Sequence, residues 1–166
     1  MDRQQRFEAV ALPHLRSLYG TAYRLTGNRQ DAEDLVQETC LRAFRGFHRF
    51  DAGSDIRAWL YTILYRARTD AFRRQGRSPR TVEMADEGGP AVPPPQDAAG
   101  ASADLARAVA GLPETFRAAI VLRDIEDLSY ADIARILEVP IGTVMSRIHR
   151  GRALLRQAFA GTGDRK

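Results

Sequence analysis

The chain has 166 residues, is 44% hydrophobic and 28% charged, and carries a formal charge of +4. That composition suits a globular protein of one or two small domains and contains no apolar run of membrane-spanning length. With Cys40 as the single cysteine an internal disulfide is excluded, and His14, His48 and His149 are too scattered for a paired metal-ligand spacing. The N-terminal stretch Met1-Asp2-Arg3-Gln4-Gln5-Arg6 leads into no long apolar segment. No secretory signal and a cytoplasmic location are therefore expected. Among the lysine and arginine positions, all but Lys166 are arginine. Arginine's planar fork suits phosphate and base edges, although GC-rich coding gives the same bias.

In chain order, Pro13 predicts the first turn of a helix carrying Leu15, Leu18, Tyr19, Ala22 and Leu25 on one stripe and ending at Gly27. Asn28 is a suitable N-cap for the next helix, with Asp31 in its first turn. Its inward face reads Ala32, Leu35, Val36, Thr39, Ala43, Phe44 and Phe47. A loop at Asp51-Ala52-Gly53-Ser54-Asp55 precedes a helix expected to bury Ile56, Trp59, Leu60, Ile63, Leu64, Ala67 and Ala71. Residues 78–102 then turn Pro-, Gly- and Asp-rich, with Pro93-Pro94-Pro95 at the centre, and read as a flexible acidic linker.

Beyond the linker a short helix near Asp104–Ala110 is stopped by Gly111, and Pro113 opens another carrying Phe116, Ala119, Ile120 and Leu122. Ser129 and Asp132 have capping-box spacing for a helix running to about Leu137. Pro140 marks a turn, and a last helix carries Val144, Ile148, Gly151 and Leu155 inward. No strand alternation is visible. The expected fold is all-α: two small helical domains, residues 1–77 and 103–160, with a linker between and a tail at 161–166.

Three constellations stand out. The last helix pair, joined at Glu138-Val139-Pro140, has the arrangement of a helix-turn-helix. Its second helix holds Arg147, Arg150, Arg152 and Arg156 and no acidic residue from Ile141 to Gln157, with Thr143, Met145, Ser146 and His149 as further outward candidates. On the last helix of the first domain, Tyr61, Tyr65, Arg68 and Phe72 are read as an exposed stacking platform for unpaired bases, continued by Arg66, Arg73 and Arg74. On the preceding helix, Asp34, Gln37, Glu38 and Leu41 share an outward stripe at i, i+3, i+4 and i+7. Carboxylates repel phosphate, so that stripe suggests a protein contact. Each pattern has a plainer reading: a solvated basic hairpin, aromatics packed on a neighbour, a solvated acidic face. No nucleophile–base pair, phosphate loop or cofactor motif appears, so neither catalysis nor a cofactor is expected.

Thr26-Gly27-Asn28-Arg29-Gln30-Asp31-Ala32-Glu33-Asp34-Leu35-Val36-Gln37-Glu38-Thr39 resembles region 2 of the sigma-70 family in its extracytoplasmic-function form, and Arg57-Ala58-Trp59-Leu60 is similar to the start of that domain's promoter-reading helix. Leu112-Pro113-Glu114-Thr115-Phe116-Arg117, Leu128-Ser129-Tyr130-Ala131-Asp132-Ile133-Ala134 and Gly142-Thr143-Val144-Met145-Ser146-Arg147-Ile148-His149-Arg150-Gly151-Arg152 resemble region 4. The resemblance implies a transcription initiation factor. Asp34, Gln37, Glu38 and Leu41 would meet the clamp helices of the polymerase largest subunit, with a further contact at the flap region. Phe50, Asp51, Ser54, Asp55, Tyr61, Tyr65, Arg68, Arg73 and Arg74 would take the −10 element. Thr143, Ser146, Arg147, His149, Arg150 and Arg152 would read the −35 element. An anti-sigma factor is the other implied partner, without membrane insertion. Met145, Glu138 and Tyr65-Arg66 depart from common family residues. The rival readings are a helix-turn-helix regulator acting without polymerase and a pure interaction protein.

Overall fold

The computed structural model of the chain describes residues 1–76 and 103–162, so the Pro-rich linker and most of the tail lie outside the described residues. The described residues are helical, without a strand, and the chain divides into two units, Met1–Pro79 and Arg80–Lys166.

The first unit begins with α1 (Arg3–Ala11), which the apolar pattern does not reveal. It is started by a reciprocal capping box: the Gln5 N–H donates to Asp2 Oδ1 at 2.8 Å and the Asp2 N–H to Gln5 Oε1 at 3.0 Å. A 3₁₀ turn at Leu12–His14, with Pro13 inside it, leads into α2 (Leu15–Thr26). Gly27 ends α2 in the left-handed region at φ 78°, which glycine adopts without steric cost. Asn28 caps α3 (Arg29–Gly46) by accepting from the Asp31 N–H at 2.8 Å. Ala32, Leu35, Thr39 and Ala43 form the buried face of α3. A second 3₁₀ turn, Phe47–Arg49, precedes the loop, and Asp55 caps α4 (Ile56–Arg74).

Helix α4 packs against both α2 and α3. Two faces are therefore covered, and the expectation of an exposed Tyr61, Tyr65 and Arg68 is wrong. Tyr61 is 1% exposed, Tyr65 7% and Arg68 6%. The Thr21 hydroxyl on α2 lies 3.5 Å from the Tyr61 hydroxyl. The Arg68 guanidinium donates to the Leu25 carbonyl at 3.3 Å, a favourable place for a cation at the end of α2, and lies 4.8 Å from the Phe72 ring centre. Leu60, Leu64 and Ala67 are buried as expected, whereas Ile56, Trp59, Ile63 and Ala71 are half-buried.

The second unit holds α5 (Ala103–Ala110), α6 (Glu114–Ile120), α7 (Tyr130–Leu137) and α8 (Ile141–Thr162). Arg117 ties the start of α6 to the end of α5, donating at 2.8 Å to both the Ala110 and Leu112 carbonyls. A π-helical turn, Val121–Ile125, continues α6, and its exit uses Asp127 at φ 55°. Ser129 caps α7 by accepting from the Asp132 N–H at 3.1 Å. Glu138 ends α7 with φ 56°, a conformation that glycine adopts more easily.

Elements of this unit approach closely at Gly151. A β-carbon there would lie 2.7 Å from Ile120 Cγ1 and 3.5 Å from Phe116 Cβ. Gly151 is what lets α8 lie against α6. Gly151→Ala gains about 1 kcal/mol of helix propensity. Overpacking against the 1%-exposed Ile120 costs about 1–3 kcal/mol. A net loss on the order of 1 kcal/mol is expected in urea unfolding followed by circular dichroism. Trp59 fluorescence, which reports the other unit, stays unchanged, and Ile120→Val recovers part of the loss.

Candidate functional site

On α3 the outward stripe is real. Asp34 and Gln37 are exposed, and Leu41 is 52% exposed. An exposed leucine beside carboxylates gains nothing in the free chain, because its apolar surface stays in water. Glu38 is held back from solvent by Arg42, whose Nε donates to Glu38 Oε1 at 2.7 Å while Nη1 donates to Asp70 Oδ2 at 2.7 Å. Arg42 thus fastens the stripe to α4. The i, i+4 spacing of Glu38 and Arg42 is visible in the sequence, but the reach to Asp70 is a product of the fold.

The hydrogen bond from Arg42 holds both carboxyls below their ordinary values of 4.5 for Glu38 and 3.8 for Asp70. Both groups bind protons less readily folded than unfolded. Their contribution is present above those ordinary values and is lost as the pH falls through the lower folded values. The N-terminal unit should therefore weaken in acid. Arg42→Ala should lower its stability at pH 7, and the gap to the unaltered chain should close as the pH falls, read by Trp59 fluorescence in urea. A gap independent of pH would show that packing, not charge, carries the Arg42 contribution.

The loop between α3 and α4 closes on itself. The Ser54 N–H and hydroxyl donate to the Asp51 carbonyl at 2.9 and 2.7 Å, and the Gly53 N–H donates to Asp51 Oδ1 at 3.0 Å. Asp55 accepts from the Arg57 N–H at 2.9 Å. Asp51, Ser54 and Asp55 are exposed, and Phe50 is half-buried against Trp59, their ring centres 5.1 Å apart. Arg73 and Arg74 are exposed at the far end of α4. The structure thus keeps the loop and these arginines at the surface and withdraws Tyr61, Tyr65 and Arg68 into the core.

On α8, Thr143, Ser146, Arg147 and Arg150 line one cleft with Gly142, Thr115 and Phe116. Ser146, His149 and Arg150 are exposed and Thr143 and Arg147 half-buried. Arg152 stands apart from this cleft. Two positions beyond Arg150 it is turned about 200° around the helix. Its Nε and Nη2 donate to the two carboxylate oxygens of Asp124 at 3.0 and 2.5 Å. That fork-to-fork pair across 28 positions docks α8 on the π turn, and no sequence pattern announces it. A basic helix with hydroxyls, an arginine-lined cleft and an N-terminus just after a tight turn is suited to lie along a phosphate backbone and reach base edges.

The family model described as Sigma-70 region 2 matches residues 11–78, and the one described as Sigma-70, region 4 matches residues 102–155. The ECF RNA polymerase sigma factor SigE of Mycolicibacterium smegmatis is 43% identical over 93% of this chain and 62% of its own length. The ECF RNA polymerase sigma factor SigW of Bacillus subtilis is 34% identical over 84% of this chain and 81% of its own length. Among solved structures, the sigma factor RpoE of Bartonella quintana, in complex with the anti-sigma factor NepR, matches with TM-score 0.76 and 32% identity, covering 94% of this chain and 98% of that one. CnrH, in complex with the cytosolic domain of CnrY, matches with TM-score 0.67 and 25% identity over 95% of this chain and 90% of that one.

Proposed function

The chain belongs to the extracytoplasmic-function branch of the sigma-70 family of transcription initiation factors, and we propose that it joins core RNA polymerase, directs it to a −35/−10 promoter and promotes opening of the DNA. It acts by binding and not by catalysing a reaction of its own. The α3 stripe of Asp34, Gln37, Glu38 and Leu41 meets the clamp helices of the largest subunit, and the second unit also meets the flap region. The Phe50–Asp55 loop, with Arg73 and Arg74 beyond it, takes the −10 strand. Thr143, Ser146, Arg147, His149 and Arg150 read the −35 duplex, and Arg152 keeps the reading helix in place. The buried Tyr61 and Arg68 hold α4, which begins at the end of that loop, against α2. Residues 1–77 and 103–160 are the two working domains, joined by the 78–102 linker.

One observation carries this reading: a single chain presents an acidic stripe with a solvent-facing leucine on one unit and a one-sided basic helix, started by a tight turn, on the other. The acidic stripe has no use in a plain DNA-binding regulator. A relative of this fold is seen bound to an anti-sigma factor, and an anti-sigma factor is the partner that would hold this chain inactive. Its place of work is the cytoplasm, and no helix among the described residues is long and apolar enough to cross a membrane.

Run-off transcription with core polymerase on a promoter library tests the reading, with Gln37→Ala/Glu38→Ala as the paired variant. Specific transcripts that need the chain and weaken with the variant are expected. DNA binding without polymerase-dependent transcripts would leave a helix-turn-helix regulator as the better account.

A further inference from the structure

The loop that the proposed function assigns to the −10 strand is anchored by aromatic rings that begin on α1. The Phe7 ring meets Phe44 edge-on at 5.4 Å and 69°, and Phe47 at 5.5 Å and 73°. Phe47 is stacked on Phe50 at 6.0 Å and 13°, and lies 6.5 Å from Trp59. Phe50 closes on Trp59 at 5.1 Å. The rings therefore run from α1, through the 3₁₀ turn, to the residue that enters the loop and to the first turn of α4 that leaves it. Arg3 clamps the start of the series. Its Nη2 donates to the Phe44 and Arg45 carbonyls at 2.5 and 3.0 Å, and its guanidinium lies 4.9 Å from the Phe44 ring centre.

None of Phe7, Phe44, Phe47, Phe50 and Trp59 is among the fully buried side chains; each is half-buried at the edge of the unit. A hydrophobic core does not need rings placed there. Between Phe50 and Ile56 the loop has only its own turn bonds and the Asp55 cap to fix it internally. Its orientation relative to the helices is set where its two ends are gripped, and Phe50 and Trp59 are that grip.

We propose that Phe7 and Phe47 are positioning residues for promoter opening: the series Phe7–Phe47–Phe50–Trp59 makes α1 part of the device that holds the −10-binding loop in its strand-capturing pose. The inference rests on the assignment of that loop to the −10 strand. Capturing an unpaired base requires a loop already in place, because each rearrangement made on binding is subtracted from the stacking energy gained.

The test uses holoenzyme assembled from core polymerase and full-length chain, with a single-stranded −10 oligonucleotide from a promoter found by run-off transcription. Phe7→Leu and Phe47→Leu should each weaken oligonucleotide binding about three- to tenfold, as expected for losing one to several aromatic contacts. Affinity for core, which depends on α3 of the same unit, should stay the same. Phe7→Tyr keeps the edge-on ring and should bind as the unaltered chain does. Oligonucleotide and core affinity falling together, or no loss in either leucine variant, would overturn the positioning role. Asp51→Ala/Ser54→Ala in the loop itself separates the two claims. If that variant also binds normally, the loop assignment fails; if it alone loses binding, the loop stands and the aromatic series is ordinary packing.

Discussion

Leu41→Arg should abolish promoter-specific run-off transcription and lower affinity for core polymerase by about a hundredfold or more. Leu41 is 52% exposed on α3, so its replacement removes no core contact. Helical content and the urea midpoint of the first unit should stay within about 0.5 kcal/mol of the unaltered chain. At an interface the same side chain is central. A leucine flanked by Asp34, Gln37 and Glu38 offers an apolar anchor within a negative field, and its partner must carry an apolar pocket rimmed by positive charge. Arginine there cannot fill the pocket and repels the rim. The loss of an anchor of this type is worth about 2–4 kcal/mol. Each 1.4 kcal/mol is about a tenfold change, so the expected loss is roughly 30- to 1,000-fold before repulsion is added. Surface plasmon resonance with immobilised core measures it directly. Unchanged affinity would remove α3 from the polymerase interface and, with it, the main support for the sigma reading over a free DNA-binding regulator.

The parts of the fold governed by local rules were legible. Asn28, Ser129 and Gly27 are read from the sequence as caps and stops, and the structure places them there, because a cap depends on residues within three or four positions. The acidic stripe was legible for the same reason: it lies on one helix. Helix α1 was missed although Phe7, Val10 and Ala11 have the i, i+3, i+4 spacing of an apolar stripe and Asp2 and Gln5 have capping-box spacing; the stripe is only about one turn long in an otherwise polar stretch. Helix α4 was misread because periodicity finds one buried face, whereas a helix packed between α2 and α3 buries two. Tyr61 lies about 120° and Tyr65 about 160° around the helix from the centre of the expected stripe, so a one-face reading assigned them to solvent. The pairing of Arg152 with Asp124, 28 positions away, is beyond the reach of any local rule.

Burial of two faces of α4 underlies the second large effect. Tyr61→Ala should strongly destabilise the first unit, not selectively impair DNA opening. Its side chain is 1% exposed, and truncating a large buried aromatic costs about 3–5 kcal/mol through lost transfer energy and the cavity left behind. A unit of this size has a total stability of about 4–11 kcal/mol, so the variant loses from about a quarter to all of it. Tyr61→Phe separates size from the hydroxyl. The ring still fills its space, and the contact with the Thr21 hydroxyl is long at 3.5 Å, so the cost should be about 1 kcal/mol or less. Trp59, the chain's single tryptophan, sits one turn or less away on the same helix and reports the first unit alone. Its fluorescence in urea should show the Tyr61→Ala midpoint shifted down by the equivalent of about 3–5 kcal/mol and Tyr61→Phe close to the unaltered chain. A stacking platform at the surface predicts the reverse: a stable Tyr61→Ala chain that binds core normally and fails only at the single-stranded −10 oligonucleotide. Because the two accounts disagree on stability before any DNA is added, the urea curve alone decides whether Tyr61 acts on the promoter directly or through the packing beneath the loop.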